Sequence, residues 1–135
     1  MSDSTTGAGL AHLFGDYVVQ SDWMANEKTK GHLPAALHGL TYAACFLPLT
    51  RDPRALAIIG GTHFVIDRWR LAKYLVWARN QCAPAEARYA YAEAGMLGNR
   101  ADRPDWLSGW VTVAADNAVH LLINHLTLRH YGGRR

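Results

Sequence analysis

HLFGDYVVQSDWMANEK, residues His12 to Lys28, is the stretch on which the reading of this chain turns. Leu13, Phe14, Val18 and Val19, with Leu10 just ahead, give it the apolar content of a helix that buries a face. Yet His12 and Asp16 stand four residues apart inside it, and Asp22 follows six residues after Asp16. Residues four apart share one side of a helix. A carboxylate among apolar neighbours is costly unless it is paired or holds a cation. The stretch therefore reads as a helix over Leu10 to about Ala25 that carries a polar site inward.

The same spacing recurs. GTHFVIDRW places His63 and Asp67 four apart, and AADNAVHLL places Asp116 and His120 four apart in the reverse order. With seven histidines and eight aspartates in the chain, chance supplies about 0.8 such pairs. Apolar residues surround each pair: Phe64, Val65 and Ile66 for the second, Val113, Val119, Leu121, Leu122 and Ile123 for the third. A single helical His/Asp pair is simply explained by a carboxylate that orients an imidazole. Three pairs on helices that pack together can instead converge, and histidine nitrogen with aspartate oxygen is a ligand set for a divalent metal. The candidate ligands are His12, Asp16, His38, His63, Asp67, Asp116 and His120. His38 is included because it stands alone in an apolar helix. Asp22 and Asp67 are the candidate catalytic carboxylates. His32, His125 and His130 have no comparable partner and read as surface, capping or tail residues.

The rest of the chain frames these helices. It has 135 residues, half of them apolar and 19% charged, with a formal net charge of +3. Those values suit one globular domain and not a disordered chain or a nucleic-acid-binding tail. Cys45 and Cys82 lie far apart, make a poor case for a disulfide and read as small core residues in a cytoplasmic protein. The stretch GHLPAALHGLTYAACFLPLT, residues 31–50, carries no Asp, Glu, Lys or Arg, but its prolines, histidines and glycines make it a better buried helix than a membrane span. Pro34 opens a second helix to about Phe46. Asp52 and Pro53 open a third, to about Asn80, in which Gly60 and Gly61 suggest close backbone packing or a kink. Pro84 opens a fourth, ended by Gly95, and Asp102 or Asp105 caps a last one to Arg129. The expected fold is all-α, a bundle of about five helices: a flexible lead over 1–9, one helical domain over 10–131 and a basic tail over 132–135.

Gln20, Lys28, Arg68, Arg70 and Lys73 lie near the presumed ligands in sequence or along a helix face. They are the candidates to bind a phosphorylated substrate. The chain has no Walker loop, dinucleotide glycine fingerprint, HExxH or GxSxG, which removes the functions those motifs carry. The expectation that remains is a metal-dependent hydrolase acting on a phosphoester, a nucleotide or signalling nucleotide by preference. Its cofactor would be Zn, Mn or Mg and its partner a small phosphorylated molecule. The alternatives are a module that sequesters such a ligand without cutting it, and a membrane-peripheral or self-associating interaction protein.

His12-Leu13-Phe14-Gly15-Asp16, then Gln20-Ser21-Asp22-Trp23-Met24-Ala25 and Lys28, resemble the opening motif of domain-of-unknown-function family 3307, found in bacteria and their phages. His38, the run around His63 and Asp67, and the Asp116/His120 pair look like its later features, so the resemblance spans roughly Leu10 to His125. It implies that the residues selected by spacing are those the family pattern features. It also implies that this chain lacks the further hydrophobic segment of longer, membrane-associated members. It supplies no reaction.

Overall fold

A computed structural model of the protein describes residues 2–132. It is all-helical, with six α-helices and no strand among the described residues beyond one isolated bridge between Ala94 and Arg100. The helices are α1 (Ser2–Phe14), α2 (Asp22–Glu27), α3 (His32–Ala44), α4 (Pro53–Trp69), α5 (Ala72–Asn80) and α6 (Asp105–Tyr131). None is long and apolar enough to cross a membrane. The described residues fall into two compact units, 2–69 with 120–132 and 70–119. The division falls at Arg70, a non-glycine residue in the left-handed region at φ 50°. That backbone reversal ends α4 and replaces the single helix expected up to Asn80.

In the first unit the opening helix starts at Ser2, so the expected flexible lead over 1–9 is helical from its second residue. Gly132 is the last residue described, and the remainder of the expected basic tail lies outside the described residues. The helix does not run on to Ala25. At Gly15–Val19 it widens into a π-helical turn, and Gln20 is extended. Ser21 then caps α2, its hydroxyl accepting from the Met24 N–H at 3.3 Å. A π-turn shifts the side chains after it around the axis and is characteristic of functional sites. Here it carries Asp16. Gly15 is obligatory within it, because a Cβ there would stand 2.6 Å from the Tyr42 ring.

α3 and α4 meet through glycines. A Cβ on Gly39 would come within 2.9 Å of the Gly60 carbonyl oxygen, and one on Gly60 within 2.9 Å of the Gly39 oxygen. The two backbones are therefore in close contact, and α4 runs through Gly60 and Gly61 without a break. Asp52 caps α4 as expected, accepting from the Arg54 N–H at 2.8 Å. Ala8, Ala11, Tyr42, Phe46, Ile59 and Leu128 form the apolar core of this unit.

In the second unit, residues 84–95 are not the helix that their alanines suggest. They form two single 3-10 turns, Ala85–Ala87 and Tyr91–Glu93, with extended residues between. Tertiary bonds override helix propensity there. Trp77 and Gln81 both donate to the Tyr89 carbonyl, and the buried Tyr89 hydroxyl donates to the Gly98 carbonyl. Cys45 and Cys82 are free thiols; Cys45 packs half-buried against the core, but Cys82 is exposed and is not a core residue.

Candidate metal centre

Close approach of α3 to α4 sets the centre. His38 lies beside Gly39, His63 lies one turn after Gly60, and the two imidazoles meet with their Nε2 atoms 2.8 Å apart. Both rings are buried, His38 fully and His63 to 1% exposure. Two carboxylates join them. Asp16 Oδ1, from the π-turn, stands 3.3 Å from His38 Nε2 and 3.2 Å from His63 Nε2. Asp67 Oδ2, one turn after His63, stands 3.3 Å and 3.2 Å from the same two nitrogens.

These contacts are not a closed hydrogen-bond network. Asp16 Oδ1, His38 Nδ1 and His63 Nδ1 are buried and have no hydrogen-bond partner among the described residues, although two nitrogens lie close to that oxygen. If one Nε2–H donates to the other Nε2, the accepting ring must carry its proton on Nδ1. Each Nδ1 is enclosed and unbonded, so either tautomer leaves a polar atom unsatisfied, which native interiors avoid. With bonds of about 2.0–2.2 Å, neighbouring ligand atoms on one divalent cation stand roughly 3 Å apart, and the observed spacings fit that. Two overlapping groups have the reach to hold a cation: Asp16/His38/His63 and His63/Asp67/His120.

The outer oxygen of each carboxylate has its own histidine. Asp67 Oδ1 faces His120 Nε2, from α6, at 3.3 Å. Asp16 Oδ2 faces His12 Nδ1 at 3.5 Å. His12 is fixed by the Tyr42 hydroxyl at 2.7 Å, which in turn accepts from the Asn124 amide at 2.6 Å. Tyr42 also stacks on the His63 ring, with centroids 3.6 Å apart. Lys28 completes the cluster, donating to Asp67 Oδ2 at 2.7 Å and to Gln20 Oε1 at 3.1 Å.

Charge is tuned accordingly. Burial alone would raise the carboxylate pKa of Asp16 and Asp67. The surrounding imidazoles, close to their oxygens and positive when protonated, outweigh it and hold both well below the usual carboxylate range. For His38, burial pushes the imidazole down, but the Asp16 and Asp67 carboxylates outweigh it and hold the pKa above the ordinary 6.5, with Lys28 opposing.

Of the seven expected ligands, six are gathered in the first unit and Asp116 is not. Asp116 is half-buried on α6, in the second unit, and belongs to neither cation-holding group. His120, expected beside it, faces Asp67 on α4 at 3.3 Å. Asp22 is exposed at the start of α2, after the chain breaks at Gln20, and belongs to neither cation-holding group. Of the five expected substrate residues, Gln20 and Lys28 reach the centre. Arg68 instead ties down the loop ahead of α3, donating to the Thr29 carbonyl at 2.7 Å and to His32 at 3.3 Å. Arg70 and Lys73 belong to the second unit. Sequence reasoning missed Tyr42 and Asn124, although each lies one turn after a site histidine, His38 and His120, on the same helix face.

Comparison with known proteins returns one family. The model of the family described as protein of unknown function (DUF3307) matches residues 9–91, and the chain belongs to that family. The matched residues include His12, Asp16, Lys28, His38, His63 and Asp67. The closing helix with His120 lies outside them. No curated protein and no solved structure matches the chain.

Proposed function

We propose that this DUF3307 member is a metal-dependent hydrolase of a small phosphoester, with one divalent cation held among Asp16, His38, His63 and Asp67. One observation carries the reading: two buried imidazole nitrogens lie 2.8 Å apart with an oxygen of each carboxylate within 3.3 Å of both. Two imidazoles in the donor set favour Zn or Mn over Mg, which prefers oxygen. A cation so held supplies a bound water of lowered pKa and polarises a phosphoryl oxygen. The protein's own part is to fix the carboxylates and to offer Lys28, whose ammonium stands beside Asp67 with 19% of its side chain exposed, as a positive charge for substrate phosphate. A nucleotide is the favoured substrate class, since it pairs a phosphoester with the charge Lys28 would meet.

A second reading is favoured by burial. His12, His38, His63 and His120 are all at most 1% exposed, which suits a closed, non-catalytic centre that holds the helices together. The exposed stripe of Leu10, Leu13, Phe14 and Tyr17 would then be the working surface of an interaction protein. Titration of Zn²⁺ and Mn²⁺ into chelator-stripped protein, followed by a panel of nucleotide and other phosphoesters, separates these. Binding with hydrolysis that His63→Ala abolishes supports the first reading. Binding without any hydrolysis supports the second, and no binding removes both.

A further inference from the structure

We infer that the centre takes a single cation, and that His12 and His120 are positioning residues rather than ligands. The inference rests on the metal reading above and refines it. Each carboxylate divides its two oxygens. The inner ones, Asp16 Oδ1 and Asp67 Oδ2, stand within 3.3 Å of both His38 Nε2 and His63 Nε2. The outer ones face His12 at 3.5 Å and His120 at 3.3 Å. A histidine behind a ligating carboxylate does what outer hydrogen bonds do at metal sites generally: it sets the direction of the inner oxygen.

Capacity points the same way. The two groups able to hold a cation share His63, and an imidazole nitrogen has one lone pair to give. Its other nitrogen, Nδ1, is enclosed and pairs with neither carboxylate. Filling one group therefore takes a ligand from the other. His12 is also committed elsewhere. Its Nδ1 lies 2.7 Å from the Tyr42 hydroxyl, and Asn124 anchors that hydroxyl in turn.

Co²⁺ titration of the chelator-stripped full chain tests this, read by calorimetric stoichiometry and by the visible spectrum of bound Co²⁺, which reports the ligand set directly. The expected wild-type result is one Co²⁺ per chain. His38→Ala and His63→Ala should weaken binding by at least about 1,000-fold. His12→Ala and His120→Ala should keep one Co²⁺ with the wild-type spectrum at about 10–100-fold lower affinity. His120→Gln, whose amide still donates to Asp67, should recover part of that loss. Two Co²⁺ per wild-type chain would overturn the inference, and that result needs no variant to fold. So would a changed spectrum in a folded His120→Ala protein, or a loss there as large as for His38→Ala. No Co²⁺ bound by the wild type would overturn the metal centre itself, which is a different failure.

Discussion

Asp67→Asn is the most informative single change, because Asp67 meets Lys28, His38, His63 and His120 at once. Its Oδ2 accepts from Lys28 at 2.7 Å and stands by His38 and His63, and its Oδ1 faces His120. The amide keeps the shape and removes the charge. In metal-free protein the main loss is the charge-assisted bond from Lys28, worth about 1.5–3 kcal/mol. Breaking a fully buried pair costs about 3–5 kcal/mol, but Lys28 is 19% exposed and can turn to water, so the lower figure applies. At an unfolding entropy of ~2.1 cal/mol/K per residue, a 135-residue chain changes its stability by about 0.28 kcal/mol per degree near Tm. The metal-free variant should therefore melt about 5–10 °C below wild type. Metal should widen the gap. A cation at 100 times its Kd stabilises by about 2.7 kcal/mol, or about 10 °C here, and the variant should lose most of that rise. Thermal melts followed by circular dichroism, with chelator and with Zn²⁺, give all four values. A variant that melts with wild type and rises equally with Zn²⁺ would refute the reasoning.

The pH dependence should reverse sign on metal loading. His38 has a raised folded pKa, so its contribution to metal-free stability is full below about pH 6.5 and is lost as pH rises through the folded value. Asp16 and Asp67, with lowered values, contribute fully above about pH 3.9 and lose that only as pH falls through their folded values. Melts from pH 4 to 8 should show metal-free stability declining above the histidine range, while the stabilisation gained from Zn²⁺ grows as the imidazole gives up its proton. Gly60→Ala should push its Cβ into the Gly39 carbonyl, now 2.9 Å from that position. A cost of about 1–3 kcal/mol in denaturant melts, with weakened metal binding as α3 and α4 part, is the expected outcome. Tyr42→Phe should leave the buried Asn124 amide short of its acceptor and cost about 1–3 kcal/mol, with metal stoichiometry unchanged by calorimetry.

How much of this was legible in the sequence differs by element. The i, i+4 spacing located two of the three His/Asp pairs correctly, because both members of each sit on one helix or its π-turn: His12 with Asp16 and His63 with Asp67. In the third, His120 also meets Asp67, on another helix. His120 and Asp116 share a helix, but where α6 docks decides which carboxylate its histidine meets, and local periodicity does not encode docking. The break at Gln20 that exposes Asp22, and the left-handed Arg70 that ends α4, involve residues with no strong turn signature, so a continuous helix was the natural reading of both. Residues 84–95 show the opposite failure: alanine suggested a helix where the bonds to Tyr89 dictate otherwise. The Gly39–Gly60 contact was partly visible as glycine inside a helix, which suggests either close backbone packing or a kink, and close packing is what the structure has. Tyr42 and Asn124 carry no charge and so drew no attention, although both fall one turn from a site histidine.

The central claim is that the imidazoles of His38 and His63 and the carboxylates of Asp16 and Asp67 share one cation. Metal content of freshly purified protein, measured by mass spectrometry beside an Asp16→Asn/Asp67→Asn double variant, tests it most directly. About one equivalent of a divalent transition metal in the wild type and a trace in a folded double variant is the predicted result. Equal metal in both, or none in a wild-type protein that also takes up none on titration, would contradict it.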